Sequence, residues 1–284
     1  MPDVSHQVEP APGLALPPAR LTVLIPHRDC PRFLPQAVSS VLGQSARDLA
    51  VVVLDDCSAD GSWRRALAPF AADRRLTVLA SSRPVGPFRL GNAVLPLVRS
   101  PYVAFQDADD ISHPLRLARQ LRLLERGRAD VVGCCFEVLD EAGTPLYRKR
   151  LPRHADLWMR LGRSFAVLHG ATAMRRAVLD RLGGFDGTTR FGADTDFHLR
   201  AARLFRVRNL PSVLYRQRRW PRSLTAAPDT GFGSAARAAY GRVVRERERA
   251  RRAAASWDEL APLLTAAPND VRVELRPVRL EGVR

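Results

Sequence analysis

The first 125 residues alternate short, wholly apolar runs with segments of helical period, and this alternation limits the fold more than any other feature. Leu21–Ile25 (LTVLI), Leu49–Leu54 (LAVVVL), Leu76–Ala80 and Tyr102–Phe105 (YVAF) read as buried strands. Between them, Phe33–Leu42 sets Leu34, Val38, Val41 and Leu42 on one helical face. Ser62–Phe70 and Leu115–Glu125 also read as helices, and Gly91–Val98 as a short one interrupted by Pro96. The pattern predicts an α/β fold, a doubly wound, mostly parallel sheet flanked by helices, with sites at the C-terminal ends of the strands. The strongly acidic turns of this half all fall at such ends.

The second half is less regular. Asp130–Val138 reads as a strand that turns at Glu141-Ala142-Gly143 and returns as Leu146–Lys149, and Ser164–Met174 as a further strand. Arg176–Leu182 and Thr195–Leu204 are expected helices, the latter with Phe197 and Leu204 in the core. After Pro221 the composition changes to a long Ala/Arg/Glu helix, Ala235–Ala255, and a short basic tail from Pro268. The expected organisation is a disordered leader over 1–20, one domain over 21–225 with halves 21–116 and 117–225, and a helical basic C-terminal extension over 226–284.

Bulk properties narrow the partners. No apolar run reaches the roughly 18 residues of a membrane span. Cys30, Cys57, Cys134 and Cys135 have neither metal-ligand spacing nor the density of a disulfide scaffold, so reduced thiols and a cytoplasmic setting are expected. The net charge of +16 is spread along the chain, and Lys149 is the only lysine. This reads as an arginine-rich composition that favours phosphates, nucleotide sugars or acidic lipid headgroups; no nucleic acid is expected.

The chemistry concentrates in Pro101–Arg116, PYVAFQDADDISHPLR, where a strand runs into Asp107, Asp109 and Asp110. Three crowded carboxylates call for a counter-charge, and a hard divalent cation such as Mn²⁺ or Mg²⁺ supplies one while sharing its coordination with phosphates. A solvated acidic turn capping the helix near Pro114 is the alternative. Asp55 and Asp56 end the second strand before the turn Ser58–Gly61, where a carboxylate either accepts a base imide N–H or caps the following turn. In FGADTDFHLRA, Asp194 and Asp196 are two apart at a helix start, so they cannot share one helical face and should do different work.

LTVLIPHRD, VVVLDDCSADGS, VAFQDADDISHPLR and GGFDGTTRFGADTDFHLR, in this order from Leu21 to Thr225, resemble the family-two glycosyltransferases. The resemblance implies the GT-A nucleotide-sugar-binding fold, and the FQDADD-x-SHP form looks most like members that assemble bacterial surface polysaccharides. It further implies an inverting transfer from a nucleotide-sugar donor, taken as a UDP-sugar, to a hydroxyl of a glycan or lipid-linked acceptor. Asp56 would contact the base, with Pro26 and Arg28 walling its pocket, and Arg89 and Asn92 would reach the diphosphate. Asp107 would serve both donor and metal, Asp109 would be the chief metal ligand, and Asp194 would be the general base. Asp110, His113, Asp196, Arg219 and Trp220 would line the acceptor side or support the site.

Three departures stand out. His27-Arg28-Asp29 replaces the Thr-Tyr-Asn common in the family, and Ala193 replaces the Glu that usually precedes the base. Gln217-Arg218-Arg219-Trp220 is one residue short of the Gln-x-x-Arg-Trp signature of processive synthases, so a non-processive enzyme is expected. Ala235–Ala255 is expected either to pack on the domain or to rest on anionic membrane at the inner face. An Asp-nucleophile phosphatase would need its acidic strand near the first βα unit. A nucleotidyltransferase would need a Gly-rich basic loop after the first strand, which PHRDCPRF lacks.

Overall fold

The computed structural model describes residues 14–189, 191–266 and 271–281. Strand β1 (Leu21–His27) lies parallel to β2 (Leu49–Asp55) on one side and to β4 (Tyr102–Phe105) on the other, and β2 is parallel to β3 (Leu76–Ser81). Alternate residues point to opposite faces, as strand geometry requires. Val23, Ile25, Val51 and Val53 pack with α1 (Leu34–Leu42), α2 (Ser62–Leu67) and α4 (Arg116–Glu125). Leu24, Val52 and Leu54 pack with α3 (Pro87–Val94), α6 (Arg176–Leu182) and α7 (Ala193–Leu204). The helices after β1 and β2 thus cover one face and the helix after β3 the other. The winding reverses between β1 and β4, and in open α/β sheets the ligand crevice lies beyond the C-terminal ends of the strands at such a reversal.

The rest of the sheet is largely antiparallel. Beyond β4 come β8 (Ala173–Arg175), β6 (Val131–Leu139), β9 (Val207–Arg218) and the two-residue β5 (Ile111–Ser112), while β7 (Pro145–Lys149) forms the hairpin on β6. Only the β6–β9 pair here is parallel. The parallel, doubly wound part is therefore β3-β2-β1-β4.

Several elements differ from the sequence expectation. Ser164–Met174 is a loop, a short 3₁₀ turn at His169–Ala171 and only then β8. Strand β9 is not legible in the sequence because Pro211 interrupts its pattern; the β6–β9 register passes from Leu210 to Val213, so the proline sits in a bulge where no ladder donor is needed. The helix α5 (Ala155–Arg160) was likewise not expected. Leader residues 1–13 lie outside the described residues, but Leu14 and Leu16 pack against the core. In the basic tail, β10 (Leu275–Pro277) pairs antiparallel with β3 and covers that edge.

The C-terminal extension is bound to the domain. Helix α8 (Ala235–Ala253) is followed by the single turn α9 (Trp257–Leu260). Arg251 of α8 bonds Asp196 at 2.6 Å, and Asp196 also holds Arg200 at 2.8 Å. Arg247 bonds Asp186 at 2.5 Å, joined there by the Tyr240 hydroxyl, and Glu248 pairs with Arg203. Asp196 is 1 % exposed, so its loss strands two buried guanidiniums. Asp196→Ala should cost about 3 kcal/mol, visible as a lower urea midpoint; an unchanged midpoint would show the network to be dispensable. Among the described residues no helix is long and apolar enough to cross a membrane.

Candidate functional site

Beyond β4 and Gln106 the chain turns through Asp107 to Asp110, and the environments of the three carboxylates separate their roles. Asp110 is 2 % exposed and is fixed from β9, its Oδ1 accepting the Arg218 amide at 2.7 Å. Burial and then the neighbouring Asp109 and Asp107 push its carboxyl well above the usual range. It is a structural acid beneath the site. Asp107 and Asp109 are less buried and have no ion-pair partner within 4 Å among the described residues. Burial, then Asp109 and Asp194, raise Asp107 to about 7; burial also raises Asp109. The buried Arg116 beneath them donates to the Phe105 and Gly170 carbonyls and its charge acts on Asp107 and Asp110, while Arg218 acts on Asp109.

Strand β9 brings in residues the sequence did not single out. Arg218 donates to the Asp109 and Glu141 carbonyls and to Gln36, and its guanidinium lies 4.6 Å from the Phe33 ring centre. The Tyr215 hydroxyl accepts the Asp107 amide at 3.1 Å. Trp220 lies against the acidic turn, its indole N–H donating to Asp109 Oδ2 at 2.6 Å with the ring edge against Phe33. Arg219, expected to join it, is instead exposed and stacks over Tyr147 of the hairpin. Consecutive residues leaving a strand face opposite ways, and Arg218 took the inward place.

The opposite wall is made by the 3₁₀ turn and α7. A β-carbon at Gly170 would collide with the Asp107 carboxylate, so only glycine permits that approach. Asp194, in the first turn of α7, is half-buried, and its charge acts on both Asp107 and His198. His169 and His198 share a hydrogen bond of 3.3 Å inside a cage of Phe88, Phe105, Phe185 and Phe197. This pair was not legible in the sequence, where 29 residues separate its members.

Two expected contacts prove structural. Asn92 is buried, donating to the Phe185 carbonyl at 2.8 Å and accepting the Phe185 amide at 2.9 Å, so it clamps the turn before α7 and cannot reach a diphosphate. Asp196 faces away from the crevice into its arginine network, which excludes it from acceptor contact. His113 is exposed, its Nδ1 accepting the Leu115 amide at 3.1 Å in the turn before α4, outside the acidic cluster.

At the end of β2, Asp56 is 4 % exposed and accepts the amides of Val85 at 2.6 Å and Gly86 at 3.0 Å. It ties the loop before α3 to the crevice. Asp55 accepts the Ser58 amide and stands 3.4 Å from His27 Nε2. The loops after β1 and β2 are laced together through Asp29 and Ser58, and Asp29 and Cys57 both adopt left-handed backbone, at φ 49° and 55°. Pro26 is half-buried and Arg28 exposed at this rim. Arg89 is half-buried, with its Nε enclosed and without a hydrogen-bond partner.

The donor set fits a divalent cation. Asp107 and Asp109 offer carboxylate oxygens near enough for Asp109 to raise Asp107, and a cation beside them would relieve that repulsion. Among the described residues no three His, Cys, Asp or Glu side chains converge as a complete metal site, so most of the coordination would fall to water and a substrate's phosphates.

The histidines set an acid limit. Burial lowers His27 to about 4 and His198 to about 3. The native state keeps these rings neutral, whereas the unfolded chain protonates them near 6.5, so their contribution is complete above that value and falls with pH below it. Stability should drop by about 1.4 kcal/mol per pH unit for each ring between pH 6 and 5. A His198→Phe variant, measured by urea denaturation, should lose part of that slope; an unchanged slope would contradict the account.

The model of Glycosyl transferase family 2 matches residues 22–183. The glycosyltransferase EpsE of Bacillus subtilis is 32% identical over 205 residues, covering 70% of this chain and 73% of EpsE. The solved structure of Staphylococcus aureus TarS 1-349 in complex with UDP aligns with a TM-score of 0.58 at 20% identity, over 71% of this chain and 61% of that one. A mannosyltransferase from Pyrobaculum calidifontis, PcManGT, in complex with GDP-Man and Mn²⁺, aligns with a TM-score of 0.55 at 21% identity, over 91% of this chain and 70% of that one. At these identities the two structures establish the fold, which is GT-A.

Proposed function

The chain belongs to glycosyltransferase family 2, and from that premise we propose that it is a metal-dependent, inverting enzyme moving a sugar from a nucleotide-sugar donor to a hydroxyl of a glycan or lipid-linked acceptor in surface-polysaccharide assembly. The observation that carries the reading is that Asp107 and Asp109 follow β4, at the reversal of the sheet's winding, near enough to Asp194 for its charge to act on Asp107.

In this mechanism Asp109, with Asp107, would hold Mn²⁺ or Mg²⁺ beside the donor diphosphate. The cation's chemistry is to neutralise charge developing on the departing nucleoside diphosphate. Trp220 orients the Asp109 carboxylate through its indole N–H, and Arg218 and Tyr215 fix the turn that carries it. Arg89 offers its free Nε to a phosphate oxygen. We assign Asp56 to the uracil imide N–H, with Pro26 and Arg28 beside the base; the same carboxylate holds the loop before α3 through the Val85 and Gly86 amides. Asp194 accepts the proton of the acceptor hydroxyl as its oxygen attacks the anomeric carbon opposite the diphosphate.

UDP is taken as the donor nucleotide on the strength of TarS, whose structure holds UDP; the GDP-Man complex of PcManGT makes GDP the comparison. A thermal-shift series with UDP- and GDP-sugars, each with and without Mn²⁺, tests the reading. Ligand at about 100 times its Kd adds about 2.7 kcal/mol to the native state, a rise of several degrees in Tm. A rise with UDP-sugars that needs Mn²⁺ is expected, and no rise with any nucleotide sugar would contradict it.

A further inference from the structure

A second cavity, of about 450 Å³, lies between α7, α8 and the loop after α5. Leu199, Tyr240 and Val244 make its apolar lining, and Phe232, 71% exposed, stands at its rim. Leu161, 78% exposed, adjoins Gly162, which also lines the cavity and lies against Arg252 of α8. Arg245 and Arg249, one turn apart on α8, line it as well; both are exposed and have no carboxylate partner among the described residues. Among the described residues the one acid in the lining, Glu248, is already held by Arg203 and Arg252. The result is a basic rim carrying two projecting apolar side chains around an apolar pocket.

The face of α8 that carries Tyr240, Arg247 and Arg251 is committed to Asp186 and Asp196, so the helix cannot lay that side on lipid. What stays open is its arginine edge and the cavity. We propose that this rim docks the protein on an anionic membrane surface, Arg245 and Arg249 meeting lipid phosphates while Phe232 and Leu161 enter the headgroup boundary. Basic residues flanking exposed apolar side chains are the pattern of interfacial binding, since charge attracts the anionic leaflet and the apolar groups hold the contact. A nucleic acid would use the arginines but would leave Leu161 and the apolar lining without a partner. Gly192 and Thr195 line the same cavity, so the docked edge lies beside Asp194. The proposal goes beyond the transferase reading and stands on this surface alone.

The test is flotation of the full chain with vesicles of phosphatidylcholine alone and of phosphatidylcholine with phosphatidylglycerol. Binding only to the anionic vesicles is expected. Arg245→Ala/Arg249→Ala should lower the partition about thirtyfold, and Leu161→Asp/Phe232→Asp should lower it about tenfold or more. Arg65 and Arg74 are exposed on the distant α2 side, so Arg65→Ala/Arg74→Ala removes the same charge elsewhere and should change the partition less than about threefold. Circular dichroism and Mn²⁺-dependent UDP binding check that each variant is folded, and separate failure of docking from failure of the donor site. Equal losses for the two arginine pairs would overturn the proposal by assigning binding to diffuse charge. Indifference to phosphatidylglycerol would overturn it, as would rim variants that keep vesicle binding but lose an RNA oligonucleotide.

Discussion

Asp109→Asn is expected to remove most of the Mn²⁺-dependent part of nucleotide binding, weakening UDP in the presence of Mn²⁺ by about a hundredfold or more. Loss of a partner that merely orients a metal ligand costs about 10–100-fold, and here the ligand itself is neutralised. The amide keeps the side chain's shape, and its oxygen can still accept the Trp220 N–H, so the turn should stay in place. Asp60→Asn is the control. That carboxylate is exposed, and its hydrogen bonds are to the Ser62 amide and hydroxyl alone, so its loss should leave UDP affinity within about twofold. Titration calorimetry of UDP with and without Mn²⁺ reads both. Equal affinity for Asp109→Asn and the parent protein with Mn²⁺ present would remove Asp109 from the metal site.

Asp194→Asn should separate chemistry from binding. The amide preserves volume and any contact to the first turn of α7 but cannot take a proton, so turnover should fall by about 10²–10⁴. Donor affinity should stay within about twofold, because the residue acts on the acceptor hydroxyl. The structure sharpens the contrast with Asp196, whose two oxygens are bonded to Arg200 and Arg251 inside the protein. Asp196→Asn should act through stability, lowering the unfolding midpoint while the folded fraction retains turnover. The assignment is wrong if Asp194→Asn transfers sugar at a near-normal rate and folded Asp196→Asn does not.

The sequence was most informative where one physical rule dominated. Buried parallel strands have to be apolar on both faces, so LTVLI, LAVVVL and YVAF are plain, and the crevice follows from where they end. The acidic turn after β4 was legible because carboxylates in such a position need an unusual neighbour. The supporting side chains were not, for they depend on non-local pairing. Arg218 enters the site because β9 pairs with β6, and Pro211 concealed that strand until the bulge explained it. Asn92 looks like a polar ligand in FRLGNAV, yet Phe185, 93 residues on, uses both ends of its amide. Gly170 could have been suspected only once Asp107 was known to lie against it. The C-terminal helix shows a similar limit. Its alanines and arginines gave its length, but the choice between packing and a free surface rested on Asp186 and Asp196 in other elements.

The central claim is that the acidic turn after β4 and the diphosphate of a nucleotide share one divalent cation, across the crevice from Asp194. The most direct measurement is the anomalous-difference map of a crystal grown with UDP and Mn²⁺. The account predicts one Mn²⁺ peak at coordination distance from an Asp109 carboxylate oxygen and from both phosphates, with the uracil toward Asp56. A nucleotide bound with its phosphates away from Asp107 and Asp109, or a Mn²⁺ peak with no contact to either residue, would contradict it.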